Sequence, residues 1–121
     1  MAIFGSKQQP KKAIFEVVDP QGFRVILEEE RWRHITARHP EMRDKLELLE
    51  ITIRSPQLIK REAPDGNIHF YLRLTGRSFF RHSDVYMSAV VERSDKKTAR
   101  IKTAHIVKEP KKGEIVWLSR K

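Results

Sequence analysis

Ile68-His69-Phe70-Tyr71-Leu72-Arg73-Leu74 is the stretch that decides the fold. Its apolar residues, Ile68, Phe70, Leu72 and Leu74, alternate with His69, Tyr71 and Arg73. That is the period of a strand with one apolar face and one polar face. Asp65-Gly66-Asn67 before it reads as a turn, and Leu58 to Arg61 as the strand leading in. Beyond it, Val85 to Glu92 is a more apolar, central strand. Ser94-Asp95-Lys96-Lys97 turns the chain into a further strand, Thr98 to Val107. A basic loop, Lys108 to Gly113, then leads to an edge strand at Glu114 to Leu118.

Upstream of Ser55-Pro56 the apolar period is 3.6. Glu28 to Arg38 reads as a short helix with Glu28, Glu29 and Glu30 in its first turn, where carboxylates complement the helix dipole. Pro40 suits the first position of a second helix running to about Arg54. Met42, Leu46, Leu49 and Ile53 form its buried stripe. Still earlier, Ala13 to Val18 and Phe23 to Leu27 flank Asp19-Pro20-Gln21-Gly22, the composition of a small hairpin. Helices followed by consecutive strands predict an α+β fold, two helices packed on one face of a four- to five-stranded antiparallel sheet. The face away from the helices is expected to carry Tyr71 and Arg73, with either Thr103 and His105 or Lys102 and Ala104. Residues 1–12 read as a flexible basic tail and residues 13–121 as one domain.

The chain carries a formal charge of +9 and has no cysteine. Disulfide frameworks, thiol nucleophiles and thiolate metal sites are thereby excluded. No apolar run approaches the ~20 residues needed to span a bilayer, and no signal-peptide core is visible. The expected location is cytoplasmic, with no membrane partner. Between Gly66 and Val107 eight basic residues stand against three acidic ones, so the strands hold over half of the excess charge. A surface of this kind attracts polyanions, of which nucleic acid is the commonest.

Candidate chemistry centres on Arg31, His34 and Arg38, which lie on one helical stripe at offsets of three and seven. His34 offers an imidazole to move protons. Arg73, on the polar face of its strand, presents a planar fork that matches phosphate and stabilises charge developing on a phosphorane. Tyr71, on that same face, is suited to stack on a base. His39 falls on the apolar stripe with Trp32 and reads as structural. His34 and His39 are five apart and diverge on a helix, HExxH is absent, and no acidic cluster offers a cation cage. No metal or cofactor is expected. Glycine-rich phosphate loops, the dinucleotide fingerprint and the nucleophile elbow are also missing.

Glu30-Arg31-Trp32-Arg33-His34-Ile35, followed by Arg38-His39-Pro40-Glu41, resembles the opening signature of the phage-type barnase–EndoU–colicin–RelE-like (BECR) nuclease family. Pro56 with Ile59, Phe70-Tyr71-Leu72-Arg73, Thr103-Ala104-His105 and Lys112-Gly113-Glu114-Ile115-Val116-Trp117 resemble its later motifs in order. The likeness runs from about Val25 to Trp117. It implies a RelE/barnase-like sheet with an RNase-like site. It points to His34, Arg73 and Thr103 as catalytic residues, supported by Arg31 and Arg38, with Thr103 orienting a phosphate oxygen. His105 departs from the aromatic residue, usually tyrosine, of that motif, and is taken with Tyr71 as substrate-binding. The function expected is metal-independent cleavage of RNA by 2′-hydroxyl attack, giving a 2′,3′-cyclic phosphate. The alternative is a non-catalytic RNA- or protein-binding module, toxin–antitoxin or phage related. RNA is the expected partner, with a protein inhibitor or antitoxin as a second.

Overall fold

The computed structural model describes residues 12–77, 84–94 and 96–120. The basic tail falls on residues 1–12 and so lies, save Lys12, outside the described residues. Strands make up about half of what is described. In chain order the elements are β1 (Ala13–Val18), β2 (Arg24–Glu28), α1 (Glu29–Arg38), a 3-10 turn (Pro40–Met42), α2 (Leu46–Arg54), β3 (Leu58–Arg61), β4 (Ile68–Arg77), β5 (Asp84–Arg93), β6 (Thr98–Val107) and β7 (Glu114–Leu118).

All seven strands join one sheet in the order β1-β2-β6-β5-β4-β3-β7. Neighbours are antiparallel except β2 and β6, which run parallel and pair Arg24 with Thr98, Val25 with Ala99 and Ile26 with Arg100. The expected RelE/barnase-like arrangement, two helices on a four- to five-stranded antiparallel sheet, is therefore corrected to a seven-stranded mixed sheet with two helices. The individual strands stand close to their predicted positions. What periodicity does not encode is the pairing partner: the first hairpin docks on β6, and β7 adds to β3.

That hairpin closes through Asp19, whose Oδ1 accepts the Gln21 and Phe23 amides at 2.9 and 2.8 Å. Gly22 sits at φ +89, a left-handed conformation that favours glycine. In α1, Glu29 and Glu30 occupy the first turn and Arg38 the last, each opposing the local dipole charge. The second helix begins later than its apolar stripe predicts. From His39 to Lys45 the bonds are of the tighter i to i+3 kind: Met42 N–H to His39 O, Arg43 N–H to Pro40 O and Lys45 N–H to Met42 O. This winding does not continue as an α-helix, so Met42 is anchored in the core by the turn rather than by α2.

Ile35, Met42, Leu49 and Ile53 pack from the helical side against Ile59, Tyr71, Met87, Ala89, Val91 and Ala104 of the sheet. Each large buried side chain contributes ~1.5–3 kcal/mol. The pleat of β4 is the reverse of the expectation. Tyr71 is fully buried on the helix side, in line with Ala89 and Ala104. Phe70 and Leu72, on the other side of the pleat, are also buried. The strand is thus enclosed on both faces, which alternation alone does not distinguish from a half-exposed one.

Tyr71 and Asp19 anchor the hairpin to the sheet. The Tyr71 hydroxyl donates to Asp19 Oδ2. Arg93 Nη2 donates to that hydroxyl at 3.0 Å and to Gln21 Oε1 at 2.6 Å, and lies 3.5 Å from Asp19 Oδ2. Its guanidinium also covers the Phe23 ring at 4.1 Å. Burial, followed by the neighbouring Asp19, pushes the tyrosine hydroxyl well above its ordinary pKa.

Candidate functional site

β6 pairs with β2 only as far as Arg100, and the rest of its length is flanked by α1 and the 3-10 turn. Between them lies a cleft of about 470 Å³, lined by Arg31, His34, Ile35, Arg38, His39, Lys102, Thr103 and His105. The α1 stripe supplies Arg31, His34 and Arg38 because offsets of three and seven repeat on one helical face. The strand supplies Lys102 and Thr103 through a bulge: Val90 pairs with Thr103 while Val91 pairs with Ile101, leaving Lys102 as the extra residue. Bulges re-aim side chains in this way and recur beside functional sites.

Among the described residues the lining contains three cations, three imidazoles and a hydroxyl, and no carboxylate. Among the described residues, no carboxylate pairs with Arg31 or Arg38. Lys102 has Glu92 at 3.6 Å, an exposed pair of the kind that contributes little. His39 and His105 stack with ring centroids 4.9 Å apart and planes 16° from parallel. Glu41 Oε2 stands 3.7 Å from His39 Nδ1. His105 Nδ1 is enclosed and has no hydrogen-bond partner among the described residues. Burial, then the adjacent His39 and, least, Lys111, hold His105 below the ordinary histidine pKa, against the pull of Glu41.

Five of the residues singled out in the sequence, Arg31, His34, Arg38, Thr103 and His105, therefore share this cleft. Arg73 and Tyr71 do not. Arg73 is aligned across the sheet with Met87 and Ile106, whereas Thr103 is aligned with Val90 and Phe70. Their side chains leave opposite sides of the pleat from strands separated by β5. Arg73 lines a different cleft and donates from Nη1 to Ser55 O at 2.6 Å. Tyr71, enclosed with Asp19 and Arg93, has no surface on which to stack a base. Neither lines the cleft that holds His34.

His39 and Lys102 also line the cleft. His39, read as structural from the apolar stripe of α1, does hold the helix junction, capping α1 with its N–H on Ile35 O, and its ring stacks on His105. Lys102 depends on the bulge, for which strict alternation gives no signal. Among the described residues no three His, Asp or Glu side chains are grouped as metal ligands would be, and no helix is long and apolar enough to cross a membrane.

No protein-family model, curated protein or solved structure was found to match the chain.

Proposed function

We propose that the cleft between α1 and β6 binds single-stranded RNA and cleaves it without a metal, through attack of a ribose 2′-hydroxyl. The observation that carries this reading is the union, in one acid-free cleft, of His34 and Thr103 with Arg31, Arg38 and Lys102. The order of motifs resembling the phage-type BECR nucleases supports the same chemistry. His34 takes the proton from the 2′-hydroxyl, and that oxygen bonds to the adjacent phosphorus. The bond from phosphorus to the 5′-oxygen breaks, and water protonates the departing oxygen. Arg31 and Arg38 hold the phosphate and offset the charge that gathers on it. Thr103 donates to a non-bridging oxygen. The products are a 2′,3′-cyclic phosphate and a 5′-hydroxyl.

A proton-transfer group of this kind contributes ~100- to 10,000-fold. His34→Ala, checked for folding by circular dichroism, is expected to lose cleavage of a labelled RNA by that factor. A 2′-deoxy nucleotide at the cut position is expected to block the native chain, and EDTA to leave it unaffected. Cleavage of the deoxy substrate, or loss of activity in EDTA, contradicts the mechanism.

The second reading is a module of the same architecture that binds RNA without turnover. It is favoured by the placement of Arg73, a second cation for the transition state, in another cleft. It predicts salt-sensitive binding, no products, and equal affinity for His34→Ala.

A further inference from the structure

The cleft that holds Arg73 has no part in the chemistry above. It measures about 540 Å³ and lies where the end of α2, the start of β3, β4, β7 and the first hairpin turn converge. Arg54 and Arg73 supply two cations, and Trp117 and Pro20 supply flat apolar surface. Among the described residues no carboxylate lines it. Its volume is that of a small-molecule site rather than of a packing defect.

Arg73 is held in place, not loose. Its Nη1 donates to the Ser55 carbonyl just beyond α2. Among the described residues no carboxylate pairs with it, so its charge is uncompensated locally while its fork is already oriented. Arg54 bonds Glu50 across one exposed helical turn, a pairing that yields readily to a stronger anion. Trp117 is half-buried, packed at the rim of the core by its pairing with Ile59. A fixed aromatic wall beside two forked cations is the combination that binds a base by stacking and its phosphate by charge-assisted hydrogen bonds.

We infer that this cleft is a second nucleotide-binding site, taking a nucleoside monophosphate unit with its base against Trp117 and its phosphate on Arg73 and Arg54. The inference rests on the reading that RNA is the ligand of the chain. Within that reading the site holds another nucleotide of the bound strand, in a cleft that shares no lining residue with the cleavage centre.

The chain has two tryptophans, so Trp32→Phe leaves Trp117 as the only tryptophan, excited selectively over the tyrosines at the red edge of the absorption band. Its emission is followed while the full chain is titrated with adenosine 5′-monophosphate, with adenosine and with inorganic phosphate in separate arms. A saturable change is expected with the monophosphate, at lower concentration than with either fragment. Arg73→Ala is expected to weaken it about tenfold or more, as loss of a charge-assisted phosphate contact does. Arg54→Ala, on an exposed helical position that does not threaten folding, is expected to weaken it in the same direction. His34→Ala is expected to leave it unchanged, which separates this site from the cleavage centre. No saturable response to the monophosphate, or equal affinity in both arginine variants, overturns the inference. A response to adenosine alone, equal to that of the monophosphate, also overturns it, since the arginines then hold no phosphate. Nucleotide binding with no RNA cleavage by the native chain would leave this site standing and remove only the catalytic reading.

Discussion

Arg31→Gln with Arg38→Gln removes the two cations of the cleft that no described carboxylate compensates. If the cleft holds RNA phosphates, each arginine displaces condensed counterions when the strand binds. For single strands the logarithm of affinity then falls with the logarithm of salt with a slope of about −0.7 per neutralised phosphate. Loss of both arginines is expected to make the slope shallower by about 1.4. Over a fourfold rise in salt, this pair accounts for about a sevenfold change in affinity. Lys102 is left out because it must exchange its Glu92 neighbour for a phosphate, so its share is smaller. The measurement is fluorescence anisotropy of a labelled single-stranded RNA, titrated at four or five potassium chloride concentrations. Arg33→Gln is the control: it sits on the same helix but pairs with Glu29 at 3.4 Å and does not line the cleft. Equal slopes for the native chain and the double variant would refute the placement of phosphates in this cleft. So would a control that behaves like the double variant, since general surface charge would then explain the effect.

Tyr71→Phe removes the buried hydroxyl that donates to Asp19 and accepts from Arg93. Hydrogen bonds to charged groups contribute ~1.5–3 kcal/mol, and a loss of that size is expected in urea unfolding at pH 7; a change below ~0.5 kcal/mol would show that the network carries little. His105 has a folded pKa below its unfolded value, so the folded state binds fewer protons. Its contribution to stability is fully present above about pH 6.5 and is lost as pH falls through the folded value. His69, lowered by burial and then by Arg93, acts in the same direction, and the NMR titration midpoints of both rings are expected below that of a free histidine. Gly113→Ala places a Cβ 2.7 Å from the Arg61 carbonyl oxygen and 3.3 Å from Lys60 Cβ. Backbone must shift to admit it, at a cost of ~1–3 kcal/mol, and hydrogen exchange is expected to quicken in β7 before the central strands.

The strand positions were legible because period two survives in single sequences, as in Ile68 to Leu74 and Thr98 to Val107. The hairpin around Asp19 was legible from its turn residues. The direction of the β4 pleat was not, because Tyr71 looks like a polar-face residue until Asp19 and Arg93 are seen to satisfy its hydroxyl. A buried polar group is affordable when its partners arrive from distant segments, and pattern carries no record of those partners. The same holds for the parallel β2 to β6 pairing, which is three residues long and joins segments far apart in the chain, Arg24 with Thr98. At the candidate site, the helix stripe was readable from spacing. Arg73 was misplaced because its side of the sheet depends on the pleat just described, and Lys102 was hidden by a bulge.

The short parallel ladder between β2 and β6 also bears on when the cleft can exist. Residue 28 ends β2 and residue 29 begins α1, so the ladder, together with the packing of Ile35 into the core, sets α1 against the strand that bears Thr103. During synthesis Arg31, His34 and Arg38 emerge long before Lys102 and Thr103, and a chain made vectorially folds its early segments first. Pairings between such distant segments form late, since loop closure must precede their reward. The basic stripe of α1 is therefore present on the nascent chain without its opposite wall. A chain that emerges from a ribosome, itself rich in RNA, acquires its complete cleft only after β6 has been made and has found β2.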